Sequence, residues 1–104
     1  MRELLLALLL LPGIALAGEA PPAQRQDQLL YLLRQDCGSC HGMTLKGGLG
    51  PALLPEALAG KDVDALAGVI LQGVPGTPMP PWSFEITPEE ARWLARMLKK
   101  GVGP

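Results

Sequence analysis

The chain has 104 residues, with nine basic and ten acidic side chains for a net charge of −1, and that length holds one domain at most. It carries no basic cluster, and its only aromatics are Tyr31, Trp82, Phe84 and Trp93, which argues against a nucleic-acid partner. Glycine supplies 13 residues and proline 11, so so small a domain makes more sense wrapped around a large apolar cofactor than packed only on itself.

Met1-Arg2-Glu3 is a short, weakly basic start, Leu4 to Leu11 is an unbroken apolar run, and Pro12-Gly13 stops it. Ala15-Leu16-Ala17 then has the small-x-small form of a signal-peptidase site. Leu4 to Ala17 is shorter than the roughly 20 residues a spanning helix needs. Residues 1–17 therefore read as a signal peptide cleaved after Ala17, not a retained anchor, and no cysteine follows until Cys37 to carry a lipid. Gly18 to Ala23, with Pro21-Pro22, reads as a flexible leader, and residues 24–104 as the folded domain.

Gln24 to Asp36 has a helical pattern, with Leu29, Leu30, Leu32 and Leu33 on a wide apolar face and Arg25, Asp27 and Arg34 outside it. Cys37 to Pro51 is glycine-dense and is expected to be mostly loop, and Pro55 to Leu58 suits one short helical turn. Asp62 to Gln72 predicts a second amphipathic helix, with Asp62 as its cap and Gly73 at its end. Val74 to Phe84 carries Pro75, Pro78, Pro80 and Pro81 and is not regular structure. The last helix is the best marked: Thr87 and Glu90 form a capping box, Pro88 takes the first helical position, and Gly101 follows the final turn. Trp93, Leu94, Met97 and Leu98 make its buried stripe, and Lys99-Lys100 suit the negative end of its dipole. No strand alternation is visible. The expected fold class is all-α, a few short helices joined by ordered loops.

Cys37-Gly38-Ser39-Cys40-His41 carries the chemistry. Two thiols three residues apart can each add to one vinyl group of a porphyrin, and the adjacent histidine then lies beneath the ring to bind iron. A thioredoxin-like redox motif needs a βαβ setting that the pattern lacks. A zinc site needs four ligands, and the chain has no further Cys or His. A plain disulfide would leave the histidine and the meagre core unexplained.

His41 is the only histidine, so a second imidazole ligand is excluded and the sixth iron position is either a methionine or open. Met1 leaves with the signal, Met43 is too close to His41 to reach the opposite face, and Met97 sits at core spacing. Met79 is the candidate, in Gly76-Thr77-Pro78-Met79-Pro80-Pro81-Trp82, where flanking prolines limit the entropy lost on holding the thioether. Histidine–methionine ligation raises the reduction potential and leaves no place for substrate. Gly50-Pro51-Ala52-Leu53 has two readings: an ordinary turn, or a Pro51 carbonyl that accepts the other N–H of His41.

From Gln24 to Lys100 the chain resembles a class I c-type cytochrome, on its helix leading into C-x-x-C-H, its Gly-Pro-x-Leu segment, its proline-flanked methionine and its C-terminal helix. The resemblance implies the class I cytochrome c fold around one covalent haem c, and it favours the Pro51–His41 reading. The runs Asp36 to Pro51 and Gly76 to Trp82 are similar to the small NirC-type cytochromes found alongside the haem cd-type nitrite reductase of denitrifying bacteria. That implies a periplasmic, monomeric, non-enzymatic one-electron carrier whose partner is nitrite reductase or an enzyme maturing its haem. The rival is a haem enzyme or gas sensor with a displaceable Met79, and no second histidine or obvious distal acid supports it. A structural subunit of a larger complex is a third possibility.

Overall fold

The computed structural model describes residues 20–103. The expected signal peptide over 1–17 and the first two residues of the expected leader lie outside them. The described residues form helices and loops only: α1 (Ala23–Leu32), a π-helical turn (Leu33–Cys37), α2 (Gly38–His41), α3 (Pro55–Leu58), α4 (Val63–Gln72) and α5 (Pro88–Lys100). None of these helices is long and apolar enough to cross a membrane.

The first three elements are one continuous helix, and here the structure departs from the sequence pattern. The pattern ends the helix at Asp36 and gives Cys37 onward to a loop; instead the chain stays helical to His41. Gly38 does not break it, because its φ of −60° and ψ of −30° are helical. Its missing side chain serves packing, since a β-carbon there would lie 3.3 Å from Met43 Sδ. Between Leu33 and Cys37 the helix widens, and the Gly38 N–H reaches back five residues to the Leu33 carbonyl, the bond that defines a π turn. The true stop is Gly42, whose φ of 93° suits glycine.

The later helices begin and end as expected. The Asp62 carboxylate accepts the Ala65 N–H at 3.1 Å and caps α4, which Gly73 terminates at φ 68°. Thr87 Oγ1 accepts the Glu90 N–H at 3.1 Å while Glu90 Oε1 accepts the Thr87 N–H at 2.9 Å, completing the capping box of α5.

α5 is the centre of the packing and contacts α1, α3 and α4. Its Ala91, Leu94 and Leu98 meet Leu29 and Leu33 of the first helix, Leu58 of α3 and Ala67 of α4 in one buried cluster. Leu29, Leu33 and Leu94 are fully buried, and each such side chain contributes roughly 1.5–3 kcal/mol of hydrophobic stabilisation. Met97, expected in this stripe, is half-buried and packs against the cluster's edge. Arg25 belongs to the polar side of α1 but spans the fold. Its Nε donates to Glu90 Oε2 at 2.6 Å and its guanidinium also donates to the Glu85 carbonyl at 3.1 Å, tying the start of α1 to the start of α5.

Candidate functional site

The end of α2 and the loop after it build the first half of the site. A helix C-terminus leaves carbonyls without partners, and the returning loop supplies them: Gly47 N–H donates to the His41 carbonyl and Gly50 N–H to the Cys40 carbonyl, each at 2.8 Å. Leu45 takes a left-handed φ of 62°, a conformation that a branched side chain adopts only under constraint, and it is buried beneath the loop. This fold-back sets Gly50-Pro51 against the His41 ring. His41 Nδ1 lies 2.7 Å from the Pro51 carbonyl oxygen. A carbonyl only accepts, so the proton is on Nδ1 and the Nε2 lone pair is free to bind a metal.

The second half comes from α4 and the loop that follows it. The C-terminal carbonyls of Ile70 and Leu71 accept N–H groups from Trp82, at 3.0 Å, and Ser83, at 3.3 Å. The loop between, carrying Met79, is thereby drawn back across the end of α4. Trp82 is half-buried, and its ring stacks on that of the exposed Phe84 with centroids 5.8 Å apart.

Between the two halves lies a cavity of about 360 Å³ whose wall includes Cys37, Cys40, His41 and Met79 together with leucines of all the longer helices. Met79 faces this wall; Met97 and Met43 are not on it. Cys37 and Cys40 are unpaired and half-buried. Burial, helped by the neighbouring Asp36 charge, pushes the Cys37 thiol up to about 11, so it is a neutral thiol at physiological pH. Among the described residues no three His, Cys, Asp or Glu side chains gather as a metal-ion cluster. An apolar cavity with two thiols on one side, one imidazole with a free Nε2 and one thioether suits a flat apolar ring carrying its own metal. These residues fit a haem.

The family model described as "Cytochrome C oxidase, cbb3-type, subunit III" matches residues 24–98. The chain belongs to this family of c-type cytochromes. It is 54% identical to cytochrome c55X of Paracoccus denitrificans (strain Pd 1222), over 96% of each chain. The solved structure of the c-type cytochrome NirC superposes with a TM-score of 0.78 at 54% identity, covering 81% of this chain and all of that one. A longer protein of Pseudomonas aeruginosa (strain PAO1), the dihydro-heme d1 dehydrogenase, is 36% identical over 95% of this chain and 22% of its own length. The all-α cytochrome c fold, the use of haem c and a role in electron transport linked to the nir system follow from this kinship.

Several residues of this cytochrome's site escape a reading of the sequence. Gly50 and Gly73 are marked in the sequence as part of a Gly-Pro segment and as a helix end, but their tight surroundings, the His41 ring and the Met79–Pro81 backbone, come from the loops folding back. Trp82, in the sequence one aromatic among four, is part of the cavity wall, and the neighbouring Phe84 faces solvent.

Proposed function

We propose that this cytochrome binds one haem, attached covalently through thioethers of Cys37 and Cys40, with His41 and Met79 as axial iron ligands. It carries single electrons in the periplasm, to or from nitrite reductase or an enzyme that completes the special haem of that reductase. The observation that carries the ligand reading is the convergence of both thiols, the imidazole and the Met79 thioether on one apolar cavity.

When bound, the haem supplies one-electron ferric–ferrous chemistry, and a histidine–methionine pair leaves iron no open position. The chain's own residues do the rest. The Pro51 carbonyl holds the Nδ1 proton of His41, orients the ring and raises its basicity. The leucine walls exclude water, and the stapled loop holds Met79 at the cavity with little freedom left to lose. The apolar run and Ala15-Leu16-Ala17 support export.

The dehydrogenase relative supports the haem-completing enzyme as partner. A stretch like this whole chain forms part of that protein, and a dehydrogenase releases electrons that require an acceptor. Protein exported from a host with cytochrome c maturation machinery is expected to keep haem colour through denaturing electrophoresis, and a Cys37→Ala/Cys40→Ala double variant to lose it. Wild-type protein that sheds its haem there would rule out covalent attachment. Stopped-flow mixing with a substrate-charged dihydro-haem d1 dehydrogenase, and separately with nitrite reductase, tests the partner; exchange with neither would overturn that part. Rapid carbon monoxide binding by the reduced wild type would favour an enzyme or sensor with a displaceable Met79.

A further inference from the structure

We propose that the Thr77 side chain is the clasp that holds Met79 at the cavity and so governs how readily the sixth iron position opens. The inference rests on the reading of Met79 as an axial ligand. From Pro78 to Pro81 the backbone is almost without donors: Pro78, Pro80 and Pro81 have no N–H, which leaves that of Met79 alone. A stretch of this kind cannot be fixed by a helix or a ladder. The Met79 N–H donates instead to Thr77 Oγ1 at 3.2 Å. The same hydroxyl donates its own proton to the Val74 carbonyl at 2.7 Å. Val74 closes the circuit, since its N–H donates to the Met79 carbonyl at 3.1 Å. Both backbone groups of Met79 are thus held, one of them through a hydroxyl that bridges to the start of the loop.

The surroundings give the clasp something to close against. A β-carbon on Gly73 would meet the Met79 carbonyl oxygen, the Pro80 carbonyl carbon and the Pro81 nitrogen, each at 2.7 Å. The loop backbone therefore lies flush on the end of α4. Beyond it, the chain is anchored again where Trp82 and Ser83 donate to Ile70 and Leu71. Opening would have to lift the Val74–Pro81 arch between these two fixed ends. Thr77 is exposed, so water competes for its hydroxyl and the clasp has modest strength. Thr77 also lines the cavity, but in this arrangement it is a positioning residue, acting on the sixth position through the Met79 backbone.

An external ligand such as imidazole must displace Met79, so its apparent affinity rises with the fraction of molecules whose loop is open. Thr77→Val keeps the shape and removes the hydroxyl; Thr77→Ser keeps the hydroxyl. In haem-loaded ferric protein titrated with imidazole, with the far-red methionine–iron band followed, Thr77→Val is expected to bind roughly tenfold more tightly than wild type, the scale of one or two ordinary hydrogen bonds. Thr77→Ser is expected to stay within roughly twofold of wild type, the loss being one of hydroxyl chemistry. A general loss of packing would lower the denaturation midpoint of both variants without this split.

Thr77→Val with wild-type imidazole affinity would overturn the clasp. If Thr77→Val loses the band or the fold altogether, the serine variant decides: restoration supports the clasp, and failure to restore overturns it. Met79→Ala separates the two levels of the argument. If it keeps the band, the ligand reading has failed and the clasp falls with it; if it abolishes the band, a null result at Thr77 counts against the clasp alone.

Discussion

Gly50 lies flush against the imidazole of His41, where a β-carbon would meet Cε1 at 2.7 Å and Nδ1 at 2.8 Å. Gly50→Ala must displace the ring or lift the loop, and either breaks the line from Nδ1 to the Pro51 carbonyl. Overpacking of this kind is expected to cost roughly 1–3 kcal/mol in guanidinium denaturation. The reduction potential should rise as the imidazole loses its hydrogen-bond partner. A variant with wild-type midpoint and potential would show that the ring seat yields freely.

The Arg25–Glu90 pair predicts a specific acid sensitivity. The hydrogen bond from Arg25 is the main cause holding the Glu90 carboxyl below the usual carboxylate range. A carboxyl depressed in the folded state stabilises fully above its unfolded value of about 4.3, and that contribution fades as pH falls through the lower folded value. Arg25→Ala should flatten this part of the acid-unfolding curve and cost about 0.5–1 kcal/mol at neutral pH, in the range of partly exposed pairs. Glu90→Gln should flatten it too, while keeping an acceptor for the capping box. Unchanged acid slopes in both variants would remove the pair from the account.

Met97 should behave as packing and not as a ligand. It is half-buried and absent from the cavity wall. Met97→Ala is expected to keep the far-red band and to cost about 1–2 kcal/mol, below the roughly 2–5 of a fully buried large-to-small change. Loss of the band in Met97→Ala would reassign the sixth ligand.

Docking of a redox partner is expected to depend little on salt. Lys46 is the only charged residue in the two segments 44–51 and 74–82. It lines a separate groove with Arg34 and Met43, not the cavity. Lys99 is tied to the Lys61 carbonyl, and neither lysine is on the cavity wall. Exposed apolar groups on the cavity wall include Leu49, 85% exposed, Val69 and Val74, and Phe84, 76% exposed, stacks on Trp82 of that wall. Electron-transfer rates should change by less than about twofold between low and physiological ionic strength, unlike steered encounters. They should fall more with Phe84→Ala or Trp82→Ala than with Lys46→Ala, provided the haem spectra stay normal. A rate that collapses with salt would make the contact electrostatic.

The all-helical class, the caps of α4 and α5 and the Cys37–His41 motif were legible because each depends on residues close in sequence. Asp62 needs only Ala65 three positions on, and Thr87 needs only Glu90. The illegible parts depend on how the backbone turns outside regular helix, over short spans as well as long ones. Gly38 reads as a breaker, yet Gly42 is where the chain turns, because only there does the returning Gly47 backbone crowd the position. Arg25 looks like a solvated charge until α5 brings Glu90 beside it from 65 residues away. Thr77 is one polar residue among prolines until the loop closes its hydroxyl onto Val74 and Met79.

The π turn from Leu33 to Cys37 constrains how this lineage can gain or lose residues. Such a turn accommodates one residue more than regular α geometry. Deleting one of Arg34, Gln35 or Asp36 would remove that surplus and let the ladder settle into α register, with the residues on either side keeping their faces. Cys40 and His41 would then stay with Leu33 on the cavity wall. A residue added there has no such slack to absorb it, and each unabsorbed residue turns everything beyond it by about 100°. Tolerance of length in this turn is therefore lopsided: one residue can be lost, and one gained swings the thiol and the imidazole off the cavity.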